Sequence, residues 1–330
     1  MLFGMARIAI IGGGSIGEAL LSGLLRAGRQ VKDLVVAERM PDRANYLAQT
    51  YSVLVTSAAD AVENATFVVV AVKPADVEPV IADLANATAA AENDSAEQVF
   101  VTVVAGITIA YFESKLPAGT PVVRAMPNAA ALVGAGVTAL AKGRFVTPQQ
   151  LEEVSALFDA VGGVLTVPES QLDAVTAVSG SGPAYFFLLV EALVDAGVGG
   201  GLSRQVATDL AAQTMAGSAA MLLERMEQDQ GGANGELMGL RVDLTASRLR
   251  AAVTSPGGTT AAALRELERG GFRMAVDAAG FGWLSTRRVS DGCRRGGFRM
   301  AVDAAGFGWL STRRVSDGCR RGGSSRQKPL

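Results

Sequence analysis

The sequence predicts an α/β protein in two parts, a doubly wound parallel sheet at the N-terminus followed by an all-helical domain. Three observations predict it. Up to about residue 140, short β-rich apolar runs alternate with helical stretches; a glycine-rich turn directly follows the first of those runs; beyond about residue 165 alanine-rich amphipathic segments replace the strands. With 330 residues, 49% of them hydrophobic, and a mean hydropathy of +0.28, the chain has ample material for a buried core and is not a disordered one.

The apolar runs lie at 8–11, 34–37, 53–55, 67–72, 99–104 and 122–125. They lack polar alternation, as parallel strands buried on both faces do. Helices are expected between them at 15–27, 43–50, 57–63, 76–84 and 109–116, then at 147–161, followed by a short strand at 164–167. Helical segments are expected at 171–178, 183–196, 203–226 and 245–253, with a polar, glycine-containing loop at 227–239. These readings set domain limits of 1–165 for a dinucleotide-binding domain and 166–279 for the helical domain, with residues 280–330 as an atypical tail.

That tail is set apart by two features. Residues 270–295 recur without one change as residues 296–321, and the repeat holds both tryptophans and both cysteines, Cys293 and Cys319. Two copies fall short of the three or so that a stacked repeat fold needs. The preferred account is a recent duplication or frame accident, the rival a basic partner-binding tail. Residues 280–330 carry 11 Lys/Arg against 3 Asp/Glu, leaving 19 against 29 for the preceding 279, so the body is acidic and no nucleic-acid partner is expected. No window reaches the roughly 18 uncharged apolar residues of a membrane span, and the apolar start runs into the glycine turn, so an unprocessed, soluble, cytoplasmic chain is expected.

The chain has no histidine. That removes imidazole bases, histidine-ligated metals and Ser-His or Cys-His pairs, and no metal site is expected. The first strand enters Gly12-Gly13-Gly14-Ser15-Ile16-Gly17, which matches G-x-G-x-x-G at Gly12, Gly14 and Gly17 between a strand and a helix. In that Rossmann-type context the turn should bind a dinucleotide pyrophosphate at the helix N-terminus. The second strand ends at Ala37-Glu38-Arg39. Glu38 could bind a ribose 2′-hydroxyl and favour NADH, whereas Arg39 could pair with a 2′-phosphate and favour NADPH; the reading leans to NADPH, with NADH as the alternative. The turns Val70-Ala71-Val72-Lys73-Pro74 and Val104-Ala105-Gly106 reach the same edge, as cofactor contacts or as ordinary strand punctuation.

Two further segments, 178–185 (VSGSGPAY) and 254–260 (TSPGGTT), are rich in glycine and each open a helix. The second offers consecutive amides and two hydroxyls at a helix N-terminus, a receptor for a small carboxylate or simply a capped helix start.

On these residues the chain resembles pyrroline-5-carboxylate reductases. GGGSIGEA at 12–19, AVKPADV at 71–77, AMPNAAALVGAG at 125–136, LDAVTAVSGSGPAYFFLLVEAL at 172–193 and VTSPGGTTAAALRELERGGFRMAV at 253–276 stand in that family's order, and the likeness spans about residues 5–279. The resemblance implies reduction of 1-pyrroline-5-carboxylate to L-proline by hydride from NAD(P)H, the last step of proline biosynthesis, a reaction that needs no histidine. It implies Thr260 as the catalytic residue at the ring nitrogen. It implies Glu169, Ser255, Gly257, Gly258, Thr259 and Thr260 as substrate contacts. For the cofactor it implies Ile11, Gly12, Gly13, Gly14, Ser15, Ile16, Gly17, Arg39, Ala71, Val72, Lys73, Pro74 and Ala105. Glu169 also reads as an acidic residue favourable near a helix N-terminus. The helical domain is implied to be a dimerisation module that completes a partner's site, in a homodimer or higher homo-oligomer. Two departures stand out: 227–247 is longer than the family's usual segment, and after Ala279 a glycine-containing stretch replaces its closing helix.

A β-hydroxyacid dehydrogenase relative would place a lysine one turn into the helix that follows the serine-glycine segment. Here that stretch is Tyr185-Phe186-Phe187-Leu188, without a base for an alcohol. A non-catalytic NADP-binding protein is the reading from another class.

Overall fold

The structure is a computed structural model, and it describes residues 6–90, 98–230, 236–237, 240–241 and 245–280. The duplicated stretch beyond 280 and residues 231–235, 238–239 and 242–244 of the loop lie outside the described residues, as do the expectations attached to them.

Eight strands form one sheet: β1 (Ile8–Ile11), β2 (Leu34–Ala37), β3 (Leu54–Thr56), β4 (Phe67–Val70), β5 (Val99–Thr102), β6 (Val122–Met126), β7 (Gly136–Lys142) and β8 (Gly162–Thr166). Their order is β3-β2-β1-β4-β5-β6-β7-β8, parallel through β6. β7 then runs antiparallel to β6, with Met126 opposite Ala139, and β8 returns parallel to β7. β1, β2, β4 and β5 are buried along their whole length, as uninterrupted apolar runs require. The expected strand at 53–55 sits one residue later. Those at 67–72 and 99–104 end two residues earlier, at Val70 and Thr102.

β7 has no counterpart among the expected strands. Its sequence, GVTALAK, mixes glycine, threonine and alanine and carries no bulky apolar run. Its pairing with β6 and β8 makes it a strand, and local propensity does not announce it.

Helices α1 (Ser15–Arg26), α2 (Pro41–Tyr51), α3 (Ala58–Val62), α4 (Val77–Ala90), α5 (Ile109–Lys115) and α6 (Pro148–Asp159) cover the sheet. Ser57 caps α3 by accepting from the Asp60 amide, and Thr147 with Gln150 forms a reciprocal capping box on α6. Alternation along the strands divides the core into two faces. Ile8, Ile10, Phe67 and Val69 pack with Leu20, Leu24, Leu47 and Phe158 on one face; Ala9, Ile11, Val68 and Val70 pack with Ile81, Leu84, Phe100 and Phe112 on the other.

Leu172, fully buried in that second face, anchors the helical part to the sheet. From there α7 (Leu172–Val175) passes through a π-helical turn at Thr176–Gly180 into α8 (Gly182–Gly199). The expected helices at 171–178 and 183–196 are thus joined into one run. The serine-glycine segment is a widened helical turn, closed by the Ser181 amide donating to the Thr176 carbonyl at 2.9 Å. The joined run, Glu169–Gly199, is long and apolar enough to cross a membrane by length and composition alone, although little of it is buried in the chain. Two separate helices would each have been too short.

α9 (Arg204–Gln230) folds back on α8 around a small core of Val194, Ala207 and Ala211. β9 (Glu236–Leu237) pairs antiparallel with β10 (Leu240–Arg241), and α10 (Thr245–Ala252), α11 (Thr259–Arg269) and a helical stretch at 272–280 follow.

Candidate active site

The strand order reverses direction at β1 and β4, so the C-terminal ends of β1, β2, β4 and β5 open a crevice there. Every residue expected to hold the cofactor stands on that edge. The Gly12 amide donates to the Ala37 carbonyl at 2.8 Å, and the Ala71 amide to the Ile11 carbonyl at 2.8 Å, which fastens the glycine turn between its two neighbouring strands.

The glycines there are demanded by space as well as by conformation. Gly12 has φ +107°, and a Cβ on it would lie 2.8 Å from the Ala71 carbonyl oxygen; on Gly17 it would lie 2.0 Å from the Gly12 carbonyl oxygen. Gly14 faces the opposite situation, with nothing within 4 Å of where a Cβ would stand. Gly14 is also the N-cap of α1 and offers no side-chain cap, so no side chain at that position competes for the first amides of α1. An uncapped helix N-terminus above a cleared glycine is what a pyrophosphate requires, and the residues present therefore fit a dinucleotide.

Glu38 and Arg39 are placed differently from each other. The Glu38 carboxylate accepts from the Gly13 amide through Oε2 and from the Met40 amide through Oε1, both at 2.9 Å. Arg39 is 73% exposed and pairs with Asp76 at 2.9 Å. Behind the turn Arg43 donates from Nε to the Gly13 carbonyl at 2.7 Å and pairs with Glu18, which also accepts from the Tyr51 hydroxyl at 2.9 Å. Burial would raise the Glu18 carboxyl, but the hydrogen bonds from Arg43 and Tyr51 outweigh it and hold the group below the ordinary value of 4.5. Burial and the Glu18 carboxylate together push the Tyr51 phenol up to about 12. Arg43 and Tyr51 belong to no short motif, and the packing of α2 against α1 brings them to the turn; Glu18 and Asp76 lie within the segments 12–19 and 71–77, which do not show their partners.

The two other turns complete the edge. Ala71 and Val72 are half-buried, Lys73 and Pro74 are exposed, and Pro74 starts a 3-10 turn leading into α4. Ala105 is exposed in the turn after β5.

Glu169 reaches the sheet, not the start of its own helix. Its Oε1 accepts from the Ile109 amide at 2.8 Å and from Arg124 at 3.1 Å, so it caps α5 and neutralises a guanidinium that is almost wholly buried. The π-helical turn packs nearby, with a Cβ on Gly180 falling 3.3 Å from the Met126 methyl. Its hydroxyls are turned inward: Thr176 donates to the Leu172 carbonyl and Ser179 to the Val175 carbonyl.

Ser255 to Thr260 form a separate corner. Gly257 adopts φ +71°, the Gly258 amide donates to the Ser255 carbonyl at 3.0 Å, and Gly258 begins α11 without a side-chain cap. Ser255, Gly257 and Thr259 are exposed, while Gly258 and Thr260 are half-buried. Among the described residues, no hydrogen bond or ion pair links this corner to the glycine turn or to Glu169.

Comparison with known proteins gives this arrangement a family. Residues 169–281 match the family described as pyrroline-5-carboxylate reductase dimerisation, and residues 7–106 match NADP oxidoreductase, coenzyme F420-dependent. The pyrroline-5-carboxylate reductase of Mycobacterium leprae is 82% identical over 279 residues, covering 84% of this chain and 95% of that protein. Its counterpart from Corynebacterium melassecola is 44% identical over 82% of this chain and 93% of that protein. A solved pyrroline-5-carboxylate reductase from Coxiella burnetii superposes with a TM-score of 0.75 at 31% identity, covering 86% of this chain and 98% of that one. The Plasmodium falciparum pyrroline carboxylate reductase, solved with NADP bound, superposes with a TM-score of 0.69 at 26% identity, covering 84% and 96%. The chain therefore belongs to the pyrroline-5-carboxylate reductases, the NAD(P)H-dependent oxidoreductases that reduce 1-pyrroline-5-carboxylate to L-proline in proline biosynthesis.

Proposed function

We propose that this chain carries out that reduction with NADPH at the glycine turn and with substrate at the Ser255–Thr260 corner of a second copy. The observation that carries the reading is the presence of two uncapped glycine-led helix N-termini, at Gly14 and Gly258, one suited to a pyrophosphate and the other to a small carboxylate.

When bound, the nicotinamide cofactor supplies the hydride that goes to the C=N carbon. The α1 amides from Gly14 to Ile16 hold the pyrophosphate, Arg39 faces the 2′-phosphate, and the turns at Ala71–Pro74 and Ala105 wall the nicotinamide end. Ser255 and the amides from Gly257 to Thr260 hold the substrate carboxylate. The Thr260 hydroxyl hydrogen-bonds the ring nitrogen and keeps the iminium proton there, so that hydride addition leaves a neutral secondary amine. Orientation is the main demand, since a protonated imine is already electrophilic. Glu169 borders the substrate from the sheet side.

The domain limits proposed are 1–165 for nucleotide binding, 166–279 for substrate and dimerisation, and 280–330 for the tail. The two copies meet as a homodimer, or as a higher assembly of dimers, through the apolar surface of α8 and α9. Phe186, Phe187 and Leu188 are all more than half exposed in the single chain, and a second α8 is their natural cover. That surface takes another copy of this chain in place of lipid or nucleic acid, and the enzyme works in the cytoplasm.

The test is the initial rate of NADPH and of NADH oxidation with 1-pyrroline-5-carboxylate as sole substrate, for the full chain and for a version ending at Ala279. Turnover by both chains, faster with NADPH, is the expected result. Binding of NADPH without turnover by either chain would leave a cofactor-binding protein and sink the reading.

A further inference from the structure

We infer that Glu38 and Arg43 are positioning residues that clamp the Gly13 peptide from its two ends, and that Glu38 does not select the cofactor through the ribose. The inference rests on the glycine turn being the cofactor site.

Gly13 is the middle residue of the turn and is buried. Its amide donates to Glu38 at 2.9 Å and its carbonyl accepts from Arg43 at 2.7 Å. Both clamping groups come from the β2–α2 corner, and both are fastened in turn. Glu38 is held by the Met40 amide, while Arg43 is held by Glu18, one turn into α1, which Tyr51 at the end of α2 also grips. A Cβ on Gly13 would lie 2.3 Å from the Leu47 methyl and 3.2 Å from Glu38 Oε2, so the peptide has no room to move toward α2.

Two consequences follow from the bonding. The Gly13 amide is committed to Glu38, so the anion is left to the amides of α1 that follow. Each Glu38 oxygen already accepts a backbone amide, and although each keeps a second lone pair, swinging the carboxylate away from those amides toward a ribose diol would loosen the turn that holds the pyrophosphate. Discrimination between the two cofactors is thereby left to Arg39, whose partner Asp76 must yield it to a 2′-phosphate.

The clamp supports the part that NADP⁺ and NAD⁺ share, and that makes the test decisive. Calorimetric titration of the full chain with each cofactor is compared for wild type, Glu38→Ala, Glu38→Gln and Arg43→Gln. Losing one charge-assisted hydrogen bond to the turn should weaken both cofactors by about tenfold in Glu38→Ala and Arg43→Gln, with their affinity ratio kept within about twofold. Glu38→Gln, which retains one acceptor and nearly the same shape, should recover part of the loss. A merely structural defect would lower Tm without a matching fall in the affinity of the folded fraction. Weakening of NAD⁺ alone, with NADP⁺ unchanged or tighter in Glu38→Ala, would restore the ribose role and overturn the clamp; so would unchanged affinities in all variants. Failure of the wild type to bind either cofactor would instead overturn the assignment of the turn itself, and the clamp with it.

Discussion

Two side chains carry most of what can be tested one residue at a time. Thr260 stands in the first turn of α11, half-buried and next to an uncapped N-terminus. Thr260→Ala is expected to lower kcat by about a hundredfold, as loss of a positioned proton-holding group does, while Thr260→Ser keeps most of the rate. Steady-state kinetics with Tm measured alongside checks this, and an unchanged rate and KM in the alanine variant would remove Thr260 from the chemistry. Glu169 is expected to show two separable effects. Glu169→Ala leaves Arg124 without its carboxylate in a nearly closed site and the Ile109 amide without its acceptor. The expected loss is about 1–3 kcal/mol in urea unfolding, whatever happens to KM. Both residues could be singled out in the sequence, but Glu169's actual partners, one on β6 and one on α5, lie 45 and 60 positions away and were not legible there.

At the scale of elements, α1 and α2 are tied together by Glu18, Arg43 and Tyr51, and the tie titrates at both ends of the pH scale. The Glu18 carboxyl is held below its unfolded value of 4.5, so its contribution is present above that value and is lost as pH falls through the lower folded one. The Tyr51 phenol is raised from 10.0 to about 12, so its contribution is present below pH 10 and is lost as pH rises toward 12. Tyr51→Phe should therefore destabilise the protein at neutral pH and flatten the fall in stability between pH 10 and 12. Urea midpoints of both proteins across that range check it, and parallel curves would mean that the phenol does not sense Glu18. Elements also show where reading the sequence stops. Uninterrupted valine and isoleucine runs announced β1, β2, β4 and β5, because strands covered on both faces have no polar side to display. β7 and the π-helical turn went unannounced: β7 is a strand through its pairing with two neighbours, and the turn lies where Gly180 comes close to Met126 at the end of β6.

The whole molecule is defined by the contrast between its two halves. The inner strands β1, β2, β4 and β5 are buried along their whole length, whereas α8 leaves Phe187 and Leu188 65% and 66% exposed. Such a surface is stable in water only when something covers it, and the family to which residues 169–281 belong is described by dimerisation. Leu188→Glu should place a charge in that contact and shift the protein toward monomer in sedimentation velocity. NADP⁺ should still bind, because the glycine turn belongs wholly to one chain, but turnover should fall by tenfold or more, roughly the cost of one disrupted interface anchor. A monomer with full activity would show that each copy completes its own site.

By itself the sequence determined the order of the parts and the chemistry open to them. Apolar runs without alternation dictated a parallel sheet, the glycine spacing at 12, 14 and 17 dictated a tight strand-to-helix turn, and the lack of histidine ruled out imidazole chemistry. The first two features are local, each showing in a few neighbouring residues, and the third is a matter of composition alone. Only the tertiary structure decided that Glu38 accepts the Gly13 and Met40 amides while Arg39 pairs with Asp76. Only it decided that Glu169 belongs to the sheet, and that the serine-glycine segment widens a helix without breaking it. The first two outcomes depend on donors that stand 25, 45 and 60 positions from the carboxylates they reach, and a donor brought from so far leaves no mark on the local pattern.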